Sequence, residues 1–235
     1  MFTSDIIGLV LSYIYASGLL GLAELLHRKL DVPQFYTRKF VHIWAGMWAL
    51  ATMALFYRWW MGIIPFATFI LVNYVLYRTR LAKSVDGGEQ RTLGTVYFAL
   101  AITLLFGLLW RRFEEQDYGP IALAGVMAMT WGDALAAIAG KSFGRHTYTV
   151  LGYTRSYEGS AVMFLVSFAV ILAVLVLLPG TFVSPFAPVL SLGQALGFAL
   201  IGAAVAALAE AVSPAGLDNL TVPVLTSGAL WLLVR

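Results

Sequence analysis

The chain has 235 residues, of which 60% are hydrophobic and only 11% are charged. A soluble domain carries about a quarter charged residues, so this composition excludes an ordinary soluble protein and favours one whose solvent is lipid. The net charge of +3 is too small to predict nucleic-acid binding, and the absence of cysteine excludes disulfides, thiolate metal sites and cysteine nucleophiles.

Apolar stretches long enough to cross a bilayer follow one another along the chain. A hydrocarbon core of about 30 Å requires roughly 20 apolar residues in a helix. We therefore predict an all-α polytopic integral membrane protein with seven to eight, and most simply eight, transmembrane helices, at 6–26, 40–57, 59–77, 94–110, 119–139, 160–179, 193–211 and 220–234. No long polar block separates them, so residues 1–235 are expected to form a single transmembrane domain.

The first span follows Asp5 directly and has no basic region before it, which favours a span over a cleavable signal peptide. The loops after the first, third and fifth spans carry four, four and three Lys or Arg residues, eleven in all, against four on the other side. The positive-inside rule then predicts that these loops face the cytoplasm and that both termini lie outside.

The first polar group along the chain stands at the cytoplasmic start of the second span. Arg38 and Lys39 precede His42 by about one helical turn and suit contact with a phosphate or an anionic lipid headgroup. His42 either shares that contact or is a structural histidine. Residues 89–95, where the third loop returns to the membrane, are a further candidate lining of the same site.

Asp133 follows Gly132 inside an otherwise apolar run of the fifth span. A carboxylate in a membrane is costly unless it is paired, protonated or bound to a cation, so such acids are functional candidates. The other interpretation is an Asp that is hydrogen-bonded to a neighbouring helix.

The loop after the fifth span combines glycines with cations. Lys141, Arg145 and Arg155 supply positive charge, and Ser156 and Glu158 open the sixth span, where a helix N-terminus favours phosphate oxygens. The Walker phosphate-binding pattern is absent. A basic loop that only follows topology rules accounts for the cations, but it does not account for an acid at the membrane boundary.

The last polar group connects the seventh and eighth spans. Glu210 ends one helix, a turn follows from Ser213 to Gly216, and Asp218 and Asn219 precede the next helix. Carboxylate and amide oxygens suit Mg²⁺, which usually takes one or two carboxylates together with substrate phosphates. An Asx turn that caps the last helix explains the same two residues locally.

These groups form the inventory that phosphoryl transfer requires. Asp133, Glu158 and Asp218 lie on the side of the basic loops, so acids that can bind a metal stand near cations that can neutralise phosphate. The membrane setting indicates that the acceptor is a lipid.

Several of these motifs, taken in order along most of the chain, resemble the polyprenol kinase family, which includes dolichol kinase, phytol kinase and the CTP-dependent diacylglycerol kinase and is related to the phosphatidate cytidylyltransferases. The motifs that carry the resemblance are Arg38-Lys39-x2-His42, Gly94-Thr95-Val96-Tyr97-Phe98, Gly132-Asp133-Ala134-x-Ala136 with Gly140 and Phe143-Gly144, Ser156-x-Glu158-Gly159-Ser160, and Glu210-x-x-Ser213-x-x-Gly216-x-Asp218-Asn219-Leu220-x-Val222-Pro223.

The resemblance implies CTP as co-substrate, a divalent metal such as Mg²⁺, and an isoprenoid alcohol or diacylglycerol as acceptor. The leading hypothesis is a CTP-dependent lipid-alcohol kinase with a phytol-like acceptor. The expected metal ligands are Asp133, Glu158, Asp218 and Glu210, with Asn219 beside them. The expected nucleotide or phosphate contacts are Lys141, Arg145, Arg155, Ser156, Asn219, Arg38, Lys39 and His42. Asp133 and Asp218 both remain candidates for the base that deprotonates the acceptor.

One departure from the family concerns Arg155, where members commonly have Lys before Ser; the charge is kept, but an ammonium becomes a planar guanidinium. The alternative function is a phosphatidate cytidylyltransferase, although its His-Gly-Gly and Asp-Arg-x-Asp signature is missing near the C-terminus. A transporter that uses Asp133 and Glu210 as coupling sites is a third hypothesis, but the sequence shows no convincing inverted repeat.

Overall fold

The computed structural model describes residues 2–79, 81, 84, 92–114 and 116–235. Glu89, Gln90 and Arg91, part of the segment expected to line the site, lie outside these ranges. The helices are α1 (Phe2–Lys29), α2 (Gln34–Leu55), α3 (Trp59–Thr79), α4 (Gly94–Leu109), α5 (Gly119–Met127), α6 (Ala134–Phe143), α7 (Tyr157–Leu177), α8 (Leu192–Val212) and α9 (Asp218–Val234).

The structure confirms the all-α class and its apolar helices. Five helical segments are long and apolar enough to cross a membrane, namely Thr3–Lys29, Trp59–Thr79, Gly119–Phe143, Tyr157–Leu177 and Leu192–Val212. α4 and α9 are apolar but have only 16 and 17 residues, and α2 is not among the five. The described residues therefore support a membrane protein with five helical segments of spanning length.

The segment from Gly119 to Phe143 forms the centre of the helical assembly. About 78% of its most apolar stretch is buried inside the protein, against 22% for α1, so this segment packs against other helices rather than lipid. It contacts α2, α4, α7 and α9, while α7 packs along α8 and α8 along α9. Small residues permit this packing, since a Cβ at Gly132 would lie 2.5 Å from the Ser167 hydroxyl oxygen.

The loop between α6 and α7 contains an antiparallel hairpin that the sequence analysis did not predict. Strands β1 (Thr147–Val150) and β2 (Tyr153–Ser156) pair from Thr147 opposite Ser156 to Val150 opposite Tyr153. Leu151 and Gly152 have φ angles of 51° and 83°, as a two-residue type I′ turn requires. The second strand of the hairpin places Arg155 at the helix ends that form the candidate site.

Candidate active site

Asp133 is presented by a distortion of the central helix. Between α5 and α6, Ala128–Asp133 form a π-helical segment of six residues. A π-helical stretch hydrogen-bonds at a longer interval than an α-helix and is frequent at functional sites. The side chain of Asp133, at its end, is buried. The sequence showed the acid, but nothing in its apolar surroundings indicated the change of helix type.

Two side chains of α2 meet the Asp133 carboxylate. The Lys39 ammonium lies 2.7 Å from its Oδ2 atom, and His42 Nε2 lies 3.7 Å from the same oxygen. His42 Nε2 is also 3.0 Å from the Met129 carbonyl oxygen, in the π-helical segment. An N–H at Nε2 donates to that carbonyl, and this tautomer leaves Nδ1 as the hydrogen-bond acceptor of the ring.

A second group of acids lies where α8 ends and α9 begins. Arg155 Nε is 3.1 Å from Glu210 Oε1, and Arg155 Nη2 is 3.7 Å from Asp218 Oδ2. The same Nη2 donates to the Ser213 carbonyl oxygen at 3.2 Å. One guanidinium thus bridges the two acids and the turn between their helices, an arrangement that a planar fork permits and an ammonium does not.

The two groups form one electrostatic unit, which we call the charged cluster: Arg38, Lys39, His42, Asp133, Arg155, Glu210 and Asp218. Asp133 is near enough to repel both Glu210 and Asp218, and it is attracted by Arg38. Three carboxylates therefore face three cations, which reduces the cost of burying the individual charges. Such a cluster can hold phosphate through its cations and a metal–phosphate complex through its acids.

The structure brings together the predicted Asp133, Asp218, Glu210, Arg155 and Lys39 but places Glu158 elsewhere. The Glu158 carboxylate accepts from the His146 backbone N–H at 3.2 Å and lies 2.8 Å from His146 Nδ1. Ser156 caps α7 by accepting from the Gly159 N–H at 3.0 Å. The side chains of Glu158 and Ser156 therefore stabilise the turn before α7 and the start of that helix.

Two of the predicted phosphate-binding cations also lie outside the charged cluster as described. Lys141 is exposed, with its ammonium 4.1 Å from the centre of the Phe35 ring, and Arg145 is exposed. Within the described part of the chain, no three His, Asp or Glu side chains are grouped closely enough to hold a metal by themselves. The predicted metal set of Asp133, Glu158, Asp218 and Glu210 is therefore not assembled as one cage.

The charged cluster borders a largely apolar cavity of about 120 Å³ that is partly open to the outside. Its walls come from one face each of α1, α2, α3 and α4, together with Asn219 of α9. Arg38 and His42 belong both to this cavity and to the charged cluster. The sequence did not reveal the cavity, because its lining residues come from four helices that look uniformly apolar.

Sequence reasoning also missed the pairing of Lys39 with Asp133. Lys39 and His42 are three residues apart in a helix, and this spacing puts both side chains on one face. The spacing indicated a shared partner, but 94 residues separate Lys39 from Asp133 along the chain. Only the packing of α2 against the central helix identifies that partner.

The fold and this site define an all-helical membrane protein with a buried acid–base cluster beside an apolar cavity. The chain is 36% identical over 232 residues to a phytol kinase of Synechocystis sp., covering 96% of this chain and 90% of that protein. It is 29% identical over 220 residues to a probable chloroplastic phytol kinase of Triticum aestivum, covering 86% of this chain and 68% of that protein. It is 26% identical over 166 residues to the chloroplastic phytol kinase 1 of Arabidopsis thaliana.

The chain belongs to the phytol kinase family. This confirms the resemblance that the motifs indicated and makes the chain a kinase. No profile of a protein family matches the chain. No solved structure matches it either. The roles assigned to individual site residues remain predictions.

Proposed function

We propose that this protein transfers the terminal phosphoryl group of a nucleoside triphosphate to the hydroxyl of a membrane isoprenoid alcohol, with a phytol-like alcohol as first choice. The observation that carries the proposal is the charged cluster at the mouth of an apolar cavity. The names of its relatives, phytol kinases from a cyanobacterium and from plants, support the same acceptor class.

In the proposed reaction, the hydroxyl oxygen of the alcohol attacks the γ-phosphorus, and the bond from that phosphorus to the bridging oxygen breaks. The nucleoside diphosphate leaves, and the hydroxyl proton passes to a base. His42 lines the cavity and lies 3.7 Å from Asp133, so the pair can receive that proton. The geometry thus favours Asp133 over Asp218 as the acid that helps to deprotonate the acceptor hydroxyl.

The cations of the charged cluster would hold the transferred phosphate. Lys39 and Arg155 each contact a carboxylate in this structure, so the phosphates would share these cations with Asp133, Glu210 and Asp218. Positioning and charge neutralisation supply most of the catalysis of phosphoryl transfer. Lys141 and Arg145, which are exposed, remain candidates for the outer phosphates.

Mg²⁺ is part of the proposal, and one or two of the acids Asp218, Asp133 and Glu210 would hold it, since no three acids of the described residues are grouped closely enough to do so by themselves. When bound, the ion would neutralise charge on the phosphates during transfer. Mg²⁺ usually takes one or two carboxylates plus phosphate oxygens, so a site completed by the nucleotide fits the acids present. Glu158, engaged by His146, is left out of this set.

CTP is the proposed donor, on the resemblance of the motifs to CTP-dependent lipid kinases. We also propose that all eight predicted spans cross the membrane, as one domain, and that the charged cluster faces the cytoplasm. The excess of Lys and Arg in the loops on that side supports this orientation.

The test is a transfer assay with purified protein, Mg²⁺, and CTP or ATP labelled on the γ-phosphate, with phytol, a polyprenol and diacylglycerol as acceptors. We expect label in the isoprenoid alcohol with CTP. Folded protein that labels none of the acceptors with either nucleotide would overturn the proposal. CTP labelled on the α-phosphate tests the cytidylyltransferase alternative, because only that reaction places the α-phosphate in the lipid.

A further inference from the structure

We propose that the cavity binds the acceptor in one orientation, with its hydroxyl at Asn219 and His42 and its hydrocarbon chain ending against Trp48. The proposal rests on the proposed function and assigns the acceptor a site and a chain-length limit. It treats Asn219 as a positioning residue and Trp48 as a specificity-determining residue.

The head end of the cavity has an unused polar atom. Asn219 is only 6% exposed, and its Oδ1 atom has no hydrogen-bond partner. A buried amide oxygen without a partner is costly, and a hydroxyl donor is the group that would satisfy it. Asn219 lies in the cavity wall together with His42 and Arg38, so a hydroxyl bound there is next to the charged cluster.

Gly94 allows α4 to pack closely against this end of the cavity. A Cβ at Gly94 would lie 2.8 Å from Asn219 Nδ2 and 3.0 Å from an Arg38 guanidinium nitrogen. The first turn of α4 can therefore approach both side chains only because residue 94 has no side chain. The backbone of this turn and Asn219 together form a narrow polar throat.

An aromatic pair lines the far end of the cavity, and other contacts hold this pair in place. The rings of Tyr15 and Trp48 stack with centroids 4.0 Å apart. Trp48 Nε1 donates to the Ser12 hydroxyl at 3.0 Å, and the Tyr15 hydroxyl donates to the Trp44 carbonyl oxygen at 2.9 Å. The polar atoms of both rings are thus occupied, and only ring surface is left for a ligand.

The distance between the two ends sets the length of the chain that fits. Arg38 and Trp48 both line the cavity from α2, and a rise of 1.5 Å per residue places them about 15 Å apart along the helix axis. Between them, the wall consists of apolar side chains, including Ala16, Phe66 and Phe98. Phytol is longer than this distance when fully extended, so its chain would have to bend to fit, whereas a much longer polyprenol would have to leave through the side or displace Trp48.

The first experiment shortens Trp48. With Trp48→Ala, we expect kcat/KM for solanesol relative to phytol to rise about tenfold or more, since a single methylene in an apolar pocket already changes specificity by about 10-fold or more. The matched control is Trp44→Ala, because Trp44 is 49% exposed and on the same helix, and its ratio should not change. An unchanged ratio in folded Trp48→Ala protein would overturn the chain-length limit.

The second experiment fills the cavity. Ala16→Leu adds bulk to the α1 wall, and we expect it to lower kcat/KM for phytol about tenfold while geraniol, a shorter alcohol, is affected less. The control is Gly18→Leu, two residues away at a position with open space around it. Equal losses for phytol and geraniol would overturn the placement of the chain.

A third experiment tests the head end. Asn219→Leu removes the unpaired oxygen, and we expect a rise in KM for the alcohol of about tenfold with KM for the nucleotide unchanged. A rise confined to the nucleotide would show that Asn219 serves the donor instead and would overturn its assignment here. If wild-type protein phosphorylates no alcohol at all, the proposed function fails; if it does and these ratios do not move, only the acceptor site fails.

Discussion

The two ends of the helices both contain buried charged groups, but the groups have different partners. At the end with the charged cluster, side chain meets side chain: Lys39 pairs with Asp133, and Arg155 pairs with Glu210. At the opposite end, the buried acids accept mainly from backbone N–H groups. Asp5 accepts from Tyr57 at 2.7 Å, and Asp117 accepts from Arg111 at 2.8 Å and from Gly119 at 2.9 Å.

Arg112 completes the contrast. Its guanidinium donates to the carbonyl oxygens of Phe56 and Phe182, each at 2.7 Å, and so connects the ends of three helical segments. Groups at this end satisfy the free backbone atoms of helix ends and loops, which is a structural task. Buried charge alone does not identify a site in this protein. The candidate site is distinguished instead by charged side chains that pair with one another and by the cavity beside them.

The largest effect is expected from Asp133→Asn. It keeps the shape of the side chain and removes the charge that Lys39 and His42 face, so kcat should fall about 10²–10⁴-fold, the range for loss of a general base. The measurement is the rate of phosphoryl transfer in protein whose thermal unfolding is unchanged or raised. Full activity in this variant would remove the functional distinction between the two ends.

Asp117→Ala tests the opposite end. It leaves two backbone N–H groups and the Ser184 hydroxyl without their acceptor, and we expect a loss of unfolding free energy of about 2–5 kcal/mol. Thermal unfolding in detergent measures the loss, and kcat per folded molecule should stay within about twofold. A large fall in kcat with unchanged stability would show that this end also takes part in catalysis.

Gly94→Ala probes the throat of the cavity with a single methyl group. The new Cβ would press on Asn219 and Arg38, and we expect KM for the alcohol to rise about tenfold, which corresponds to about 1.4 kcal/mol. Gly107→Ala is the matched control on the same helix, because its nearest neighbour would be Ile63 Cδ1 at an ordinary 3.6 Å. Equal effects of the two changes would contradict the role of the throat.

The smallest effect is expected from Glu158→Gln. Its carboxylate lies at the same end as the charged cluster but pairs with His146, whose side chain is 79% exposed, and exposed pairs contribute little. Activity and its dependence on Mg²⁺ concentration should therefore change less than about twofold. A strong increase in the Mg²⁺ required would restore Glu158 as a metal ligand, as the motifs alone predicted.

Much of the site could be predicted because local chemistry marks it. An acid in an apolar run, Asp133, and an acid–amide pair after a turn, Asp218 and Asn219, are visible without any knowledge of packing. The role of Glu158 as a metal ligand stays a prediction. Its pairing with His146 could not be predicted, because it depends on the hairpin that lies between the two residues. The sequence analysis predicted no hairpin in that loop, because its glycines and cations are not typical of strands.

By itself, the amino-acid sequence determined that the protein belongs in a lipid bilayer, that it is helical, and which charged and polar groups are available for its chemistry. Composition and the length of apolar runs decide these, because a bilayer accepts only helices or closed barrels and tolerates charge only at a cost. The tertiary structure alone decided which acids meet which cations and where the cavity lies. Lys39 and Asp133 are paired by helix packing over 94 residues, and the cavity is a gap between four apolar helices whose sequences do not specify which faces stay apart.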